Sequence, residues 1–163
     1  MVQVRNDPRE AYDQLFRESG ATLIRAVYAY TGGRREIAEE AVAEAFARAM
    51  ERDGDIRDRL AWIYRVSFRI AAHEAKREKS KPASAGIGEA PGPEEGLGSL
   101  VAALRKLSPA QRAAVVLHYE ADLPVAEVSR LMGISAATVK VHLHRGRNKL
   151  RALLGDEEVE DDD

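Results

Sequence analysis

The chain has no cysteine among its 163 residues. That excludes disulfide bonds and thiolate metal sites. Aromatic side chains are scarce, with one Trp, five Tyr and three Phe. No apolar run is long enough to span a bilayer, the longest being pieces such as AAVVL. The opening MVQVRNDPRE has no apolar stretch of the kind a secretory leader carries. A cytoplasmic, nucleoid-associated protein without membrane insertion is the expectation. No strand-like alternation stands out, no Gly-rich loop follows a strand, and no HExxH occurs. The carboxylates are scattered without a partner pattern, so no catalytic residue, enzyme activity or cofactor is expected.

Against these absences, hydrophobic residues make up 45% of the chain, which is enough to build cores. The net charge of −2 conceals a segregation. The last eight residues, DEEVEDDD, hold seven acids, and without them 25 bases face 20 acids. Thr138 to Arg151 has five bases and no acid, and Arg57 to Lys81 has eight bases against three acids. Local basic stripes of this kind are the footprint of a polyanion binder.

The segment SKPASAGIGEAPGPEEGLG, residues 80–98, is rich in Gly, Pro, Ala and Ser and has no helical period. It reads as a flexible linker between two small domains, residues 1–79 and 99–155, with an acidic disordered tail at 156–163. Both domains read as all-α, because good helix formers dominate at a 3.6-residue period. Asp7-Pro8-Arg9-Glu10 opens a first helix, in which Leu15, Leu23, Val27 and Tyr30 form a stripe. Thr31-Gly32-Gly33 closes it. Further helices are expected over about Arg35–Arg52 and Arg57–Glu78, the latter with Ile63, Val66 and Ile70 on one face.

In the second domain a helix covers about Leu100–Leu107. Ser108-Pro109-Ala110-Gln111 is a capping box opening the next, which reaches about Tyr119. Pro124 begins another helix and Gly133 ends it. Ser135 is placed to cap the last helix. Val125, Val128 and Met132 give the penultimate helix an inner face, small Ser129 permits close packing, and Ile134 fills the corner. These requirements coincide over about twenty residues and predict a helix-turn-helix.

On a helical wheel, Val139, Leu143, Gly146, Leu150, Leu153 and Leu154 share one side of the last helix. Ala137, Thr138, Val141, His144, Arg145 and Asn148 lie opposite, flanked by Lys140, His142, Arg147 and Lys149. A recognition helix sets its N-terminal residues at base edges and its flanks on phosphates. That assigns Ala137, Thr138, Val141 and His144 to bases, and Lys140, Arg145, Arg147 and Lys149 to backbone. Val141 is either a tolerated surface valine or a contact for a thymine methyl. His142 and His144, two apart on a helix, point about 200° apart and cannot easily share a metal ion.

Two blocks of residues carry a family resemblance. LRKLSPAQRAAVVLHYEADLPVAEVSRLMGISAATVKVHLHRGRNKLRALL is similar to the fourth conserved region of extracytoplasmic-function (ECF) type bacterial RNA polymerase sigma factors, which reads the upstream promoter element. AEEAVAEAFARAM resembles that family's core-binding helix. LAWIYRVSFRIAAHEAKR resembles its promoter-melting, downstream-element segment. The likeness covers nearly all of residues 10–154.

The resemblance implies binding to the β and β′ subunits of RNA polymerase core through Glu39, Glu40, Val42, Ala43, Glu44, Phe46 and Arg48. It implies downstream-element contact and melting by Trp62, Tyr64, Arg65, Phe68, Arg69, His73, Lys76 and Arg77, since unstacked bases sit on rings while cations hold the backbone. It implies upstream-element contact by Ser135, Ala137, Thr138, Lys140, Val141, His142, His144, Arg145, Arg147 and Lys149. It further implies promoter DNA and an anti-sigma factor as partners.

Plain packing competes for several of these residues. Trp62 can pack beside Ile63 and Val66, Tyr64 and Phe68 on a neighbouring helix, and Val42 and Phe46 in their own bundle. The chain also departs from the family's usual residues: Gln is usual at Ala43, Asn at Arg69, Asp at His73, and Ser-Arg at Val141-His142. Two alternatives remain open, a helix-turn-helix regulator that acts without core polymerase and a sigma-like decoy. The tail reads as a solubilising end, or as a polyanion mimic competing for the last helix.

Overall fold

The computed structural model describes residues 7–80 and 95–155. Most of the expected linker, residues 81–94, and the expected acidic tail, 156–163, lie outside the described residues. The chain divides into two units, with the division between Ser80 and Lys81. Among the described residues the secondary structure is entirely helical.

The first unit contains α1 (Pro8–Tyr30), α2 (Arg35–Glu51), a single 3₁₀ turn (Asp53–Asp55) and α3 (Arg59–Ser80). Asp7 caps α1 by accepting from the Arg9 amide at 3.0 Å, with Pro8 at the first helical position. Gly32 and Gly33 follow with φ of 74° and 89°, a turn that a side chain would strain. The α2 helix packs against both α1 and α3. Its inner side is largely alanine, Ala38, Ala41, Ala45 and Ala49, all buried, which lets both neighbours approach closely. Leu23, Val27, Val42 and Ile63 fill the centre and are fully buried, each contributing about 1.5–3 kcal/mol of apolar burial.

A polar clamp ties all of these elements together. Tyr12 donates its phenolic hydrogen to Asp53 Oδ1 at 2.7 Å and lies 3.2 Å from the Ala49 carbonyl. Arg59 grips the same carboxylate with Nε at 2.8 Å and Nη2 at 3.2 Å. Its guanidinium also sits 5.3 Å from the centre of the Tyr12 ring. Burial and the hydrogen bond to Asp53 push the Tyr12 phenol up to about 12. The Arg59 and Tyr12 hydrogen bonds hold the Asp53 carboxyl below its ordinary value.

The second unit contains α4 (Glu95–Arg105), α5 (Pro109–Val115), a π-helical turn (Val116–Glu120), α6 (Val125–Met132) and α7 (Ala136–Leu154). The α4 helix begins at Glu95, inside the expected linker, because Val101, Leu104 and Leu107 anchor this segment in the core. The Ser108–Gln111 capping box forms in both directions. Arg112 reaches back to the end of α4 and donates to the carbonyls of Leu104 at 2.9 Å, Leu107 at 3.1 Å and Arg105 at 3.4 Å. It thereby satisfies carbonyls that a helix terminus leaves without intrahelical donors.

Candidate nucleic-acid interface

The pair α6 and α7 forms the helix-turn-helix. Gly133 ends α6 with φ 68° and ψ 32°, the left-handed region, and no atom outside its own neighbourhood lies within 4 Å of the place a Cβ would take. The Ser129 carbonyl accepts from the amides of both Gly133 and Ile134, and the Ser129 hydroxyl donates to the Ile134 carbonyl. So Ser129 does more than leave room for a neighbour: it fastens the turn. Ser135 caps α7, its hydroxyl accepting from the Thr138 amide at 3.1 Å.

The inner face of α6 is Val128 and Leu131, both buried. Val125 and Met132 are only half-buried, which corrects the expected inner face. On α7, Val139, Leu143 and Gly146 are buried as expected. The Gly146 position brings α7 against α5, since a Cβ there would meet Val115 Cγ2 at 2.8 Å. Leu153 and Leu154 are exposed rather than buried, which corrects their expected place on the inner face.

The outer side of α7 carries most of the residues expected to touch DNA. Ala137, Thr138, Lys140, Val141, His144, Arg145, Arg147 and Lys149 are exposed, as is the capping Ser135. Val141 is 45% exposed, an apolar side chain in the middle of a polar face. His142 is half-buried, and its Nδ1 is buried without a hydrogen-bond partner. His144 Nε2 lies 3.2 Å from the Asn148 amide nitrogen, which couples two residues of that outer face. Arg147 Nη1 donates to the Tyr119 hydroxyl at 3.1 Å.

In the first unit, α3 carries its cations on one exposed face. Arg65, Arg69, His73, Lys76 and Arg77 are exposed and recur at helical spacing along one face, with half-buried Trp62 at its N-terminal end. Tyr64 is only 4% exposed, and burial raises its phenol above the ordinary value. Phe68 packs its ring 4.9 Å from that of Tyr30. Tyr64 is turned into the core, so the expectation that it presents a stacking platform is corrected, while half-buried Phe68 lies one turn from Arg65 and is engaged by Tyr30. Trp62 lies one turn before Arg65 on the basic face.

The α2 helix divides similarly. Glu39, Glu40, Ala43, Glu44 and Arg48 are exposed, and Glu44 pairs with Arg48 at 2.6 Å. Val42 is fully buried and Phe46 7% exposed, the latter edge-on to Phe16 at 5.3 Å. Their expected place in a partner surface is corrected: internal packing takes both. Sequence reading missed the roles of Tyr119 and Arg112 and the Tyr12–Asp53–Arg59 clamp, which depend on side chains meeting across separate elements.

Residues 97–150 match the family described as Sigma-70, region 4. Over 91% of its length the chain is 28% identical to the ECF RNA polymerase sigma factor BldN of Streptomyces coelicolor, of which it spans 62%. It is 29% identical over 90% of its length to the ECF RNA polymerase sigma factor SigM of Mycobacterium tuberculosis, of which it spans 79%. A similar fold occurs in the sigma factor RpoE solved with the anti-sigma factor NepR from Bartonella quintana. That likeness has a TM-score of 0.75 at 19% identity and covers 91% of this chain and 99% of that one. The likeness to Sigma-70 region 4 falls on the second unit and includes its helix-turn-helix. Along about nine tenths of its length the chain is thus similar to ECF RNA polymerase sigma factors.

Proposed function

We propose that this chain is an alternative sigma factor that joins RNA polymerase core and directs promoter-specific transcription initiation. The observation that carries the proposal is α7, whose buried Val139 and Leu143 leave an exposed outer side bearing Lys140, Arg145, Arg147 and Lys149. A helix held by one face and basic on the other suits the major groove of an upstream element.

The second unit takes the region-4-like role and the first the region-2-like role. In the first, the exposed acids Glu39, Glu40 and Glu44, with Ala43 and Arg48, suit contact with the β and β′ subunits. On α3, Arg65, Arg69, His73, Lys76 and Arg77 suit the phosphates of the downstream element. Trp62 is the ring available to an unstacked base. The role is recognition, with no bond-making step by this chain, and its setting is the cytoplasm. An anti-sigma protein that covers the same surfaces is the partner class for regulation.

Reconstitution with core polymerase tests this. Promoter-dependent transcription supports it. Core binding without transcription favours a decoy, a reading that the burial of Tyr64 and the packing of Phe68 keep in play. DNA binding without core binding favours a free-standing regulator.

A further inference from the structure

One cation of the recognition helix is held by a residue 28 positions earlier in the chain. Arg147 Nη1 donates to the Tyr119 hydroxyl at 3.1 Å. Tyr119 ends in solvent, 51% exposed, on the π-helical turn that follows α5. Its ring is fixed from behind. It packs edge-on to His118 at 4.8 Å, and His118 Nδ1 lies 2.8 Å from the Leu123 carbonyl. That contact closes the turn in which Asp122 takes a positive φ of 54°.

The chemistry of the pair is specific. A phenol that accepts from a guanidinium keeps its own O–H to donate. A guanidinium has five N–H donors, and this bond uses one. A hydroxyl also carries no charge, so it orients Arg147 without neutralising it, as a carboxylate would. On α7, Arg147 shares a flank with Lys140, two turns earlier, and that flank is the one a DNA strand follows. Pre-orienting a long side chain lowers the entropy lost when it binds.

We propose that Tyr119 and Arg147 form a composite phosphate clamp. The Tyr119 hydroxyl positions the guanidinium and donates its own hydrogen to the same backbone phosphate. The inference rests on the reading of α7 as the DNA-contacting helix. It adds a residue from outside the helix-turn-helix to the interface.

The test is fluorescence anisotropy of the full chain with a short random-sequence duplex across a salt series. Wild type, Tyr119→Phe, Arg147→Ala and the double variant are compared. Tyr119→Phe keeps the ring on His118 and removes only the hydroxyl, and thermal melts check that folding is intact. It should weaken binding about 3–10-fold with an unchanged salt slope. Arg147→Ala should lower the salt slope by about 1. Adding Tyr119→Phe to Arg147→Ala should change affinity by less than about twofold. Wild-type affinity for Tyr119→Phe overturns the clamp, and so does an equal loss in both backgrounds. Selection from a randomised duplex library separates the two layers of the argument. A wild type without sequence preference counts against promoter recognition, while the titrations still decide the clamp. Failure to bind any duplex overturns both.

Discussion

The phenolic oxygen of Tyr12 and the carboxylate of Asp53 lie 2.7 Å apart, although 41 residues separate them in the chain. That bond joins the first helix of the N-terminal unit to the turn before α3. The folded state therefore holds the Tyr12 proton more tightly than the unfolded chain does, with the phenol raised from 10.0 to about 12. The stability this contributes is complete below pH 10 and is lost as pH rises towards 12. Thermal melts of the full chain across that window should fall more steeply for wild type than for Tyr12→Phe. At neutral pH, Tyr12→Phe should be less stable by about 1–2 kcal/mol. Asp53 works in the opposite direction. Its carboxyl is depressed in the fold, so its contribution is present at neutral pH and disappears on acidification below the ordinary carboxylate range.

The helix-turn-helix offers a test of backbone against packing. Gly133→Ala meets no atom in space but forces a side chain into the left-handed region, so it should cost about 1–2 kcal/mol. Leu143→Ala opens a hole beneath α7 and should cost about 2–5 kcal/mol. Denaturant titration followed by helical circular dichroism ranks the two. A larger loss for Gly133→Ala would contradict the packing described for α7.

Base preference should respond to His142. This side chain stands at the edge of the outer face, half-buried, where an arginine could read guanine bidentately. His142→Arg should change the bases selected from a randomised upstream element, while Lys149→Ala should weaken all sequences about equally. Identical selected sequences for wild type and His142→Arg would move the reading face of α7 elsewhere.

On α3 the cations and the rings should behave differently. Arg65→Ala and Arg69→Ala should each lower affinity for a single-stranded downstream-element oligonucleotide and reduce its salt dependence. Trp62→Ala should also weaken it, by about 1–3 kcal/mol if a base stacks there. Tyr64→Phe should leave that affinity unchanged, because the phenol is buried. Nitrocellulose filter binding suffices to distinguish these outcomes.

Local chemistry was legible and distant chemistry was not. Asp7, Ser108 and Ser135 act as caps because capping depends on three or four consecutive residues. The αL glycine at 133 and the buried Val139 and Leu143 follow from period and turn type alone. Packing of Tyr64 and Phe68 on a neighbouring helix is one of two readings open from their spacing, and the burial of Tyr64 and the Phe68–Tyr30 ring contact, both tertiary, favour it. Leu153 and Leu154 continue the apolar period yet are exposed, so period alone overstates the core. The Tyr12–Asp53–Arg59 clamp and the Tyr119–Arg147 bond depend on tertiary approach, which no local pattern encodes.

The grip of Arg112 on the end of α4 has a mechanical meaning. The α4 helix is the first described helix of the C-terminal unit, so a pull arriving from the N-terminal side reaches it first. Three carbonyls of residues 104, 105 and 107 are held by one guanidinium rooted in α5. Tension on α4 is thus shared across three bonds and delivered to α5, against which α7 is seated at Gly146. A load that enters the C-terminal unit at α4 therefore bears on the scaffold of α7 instead of peeling α4 away.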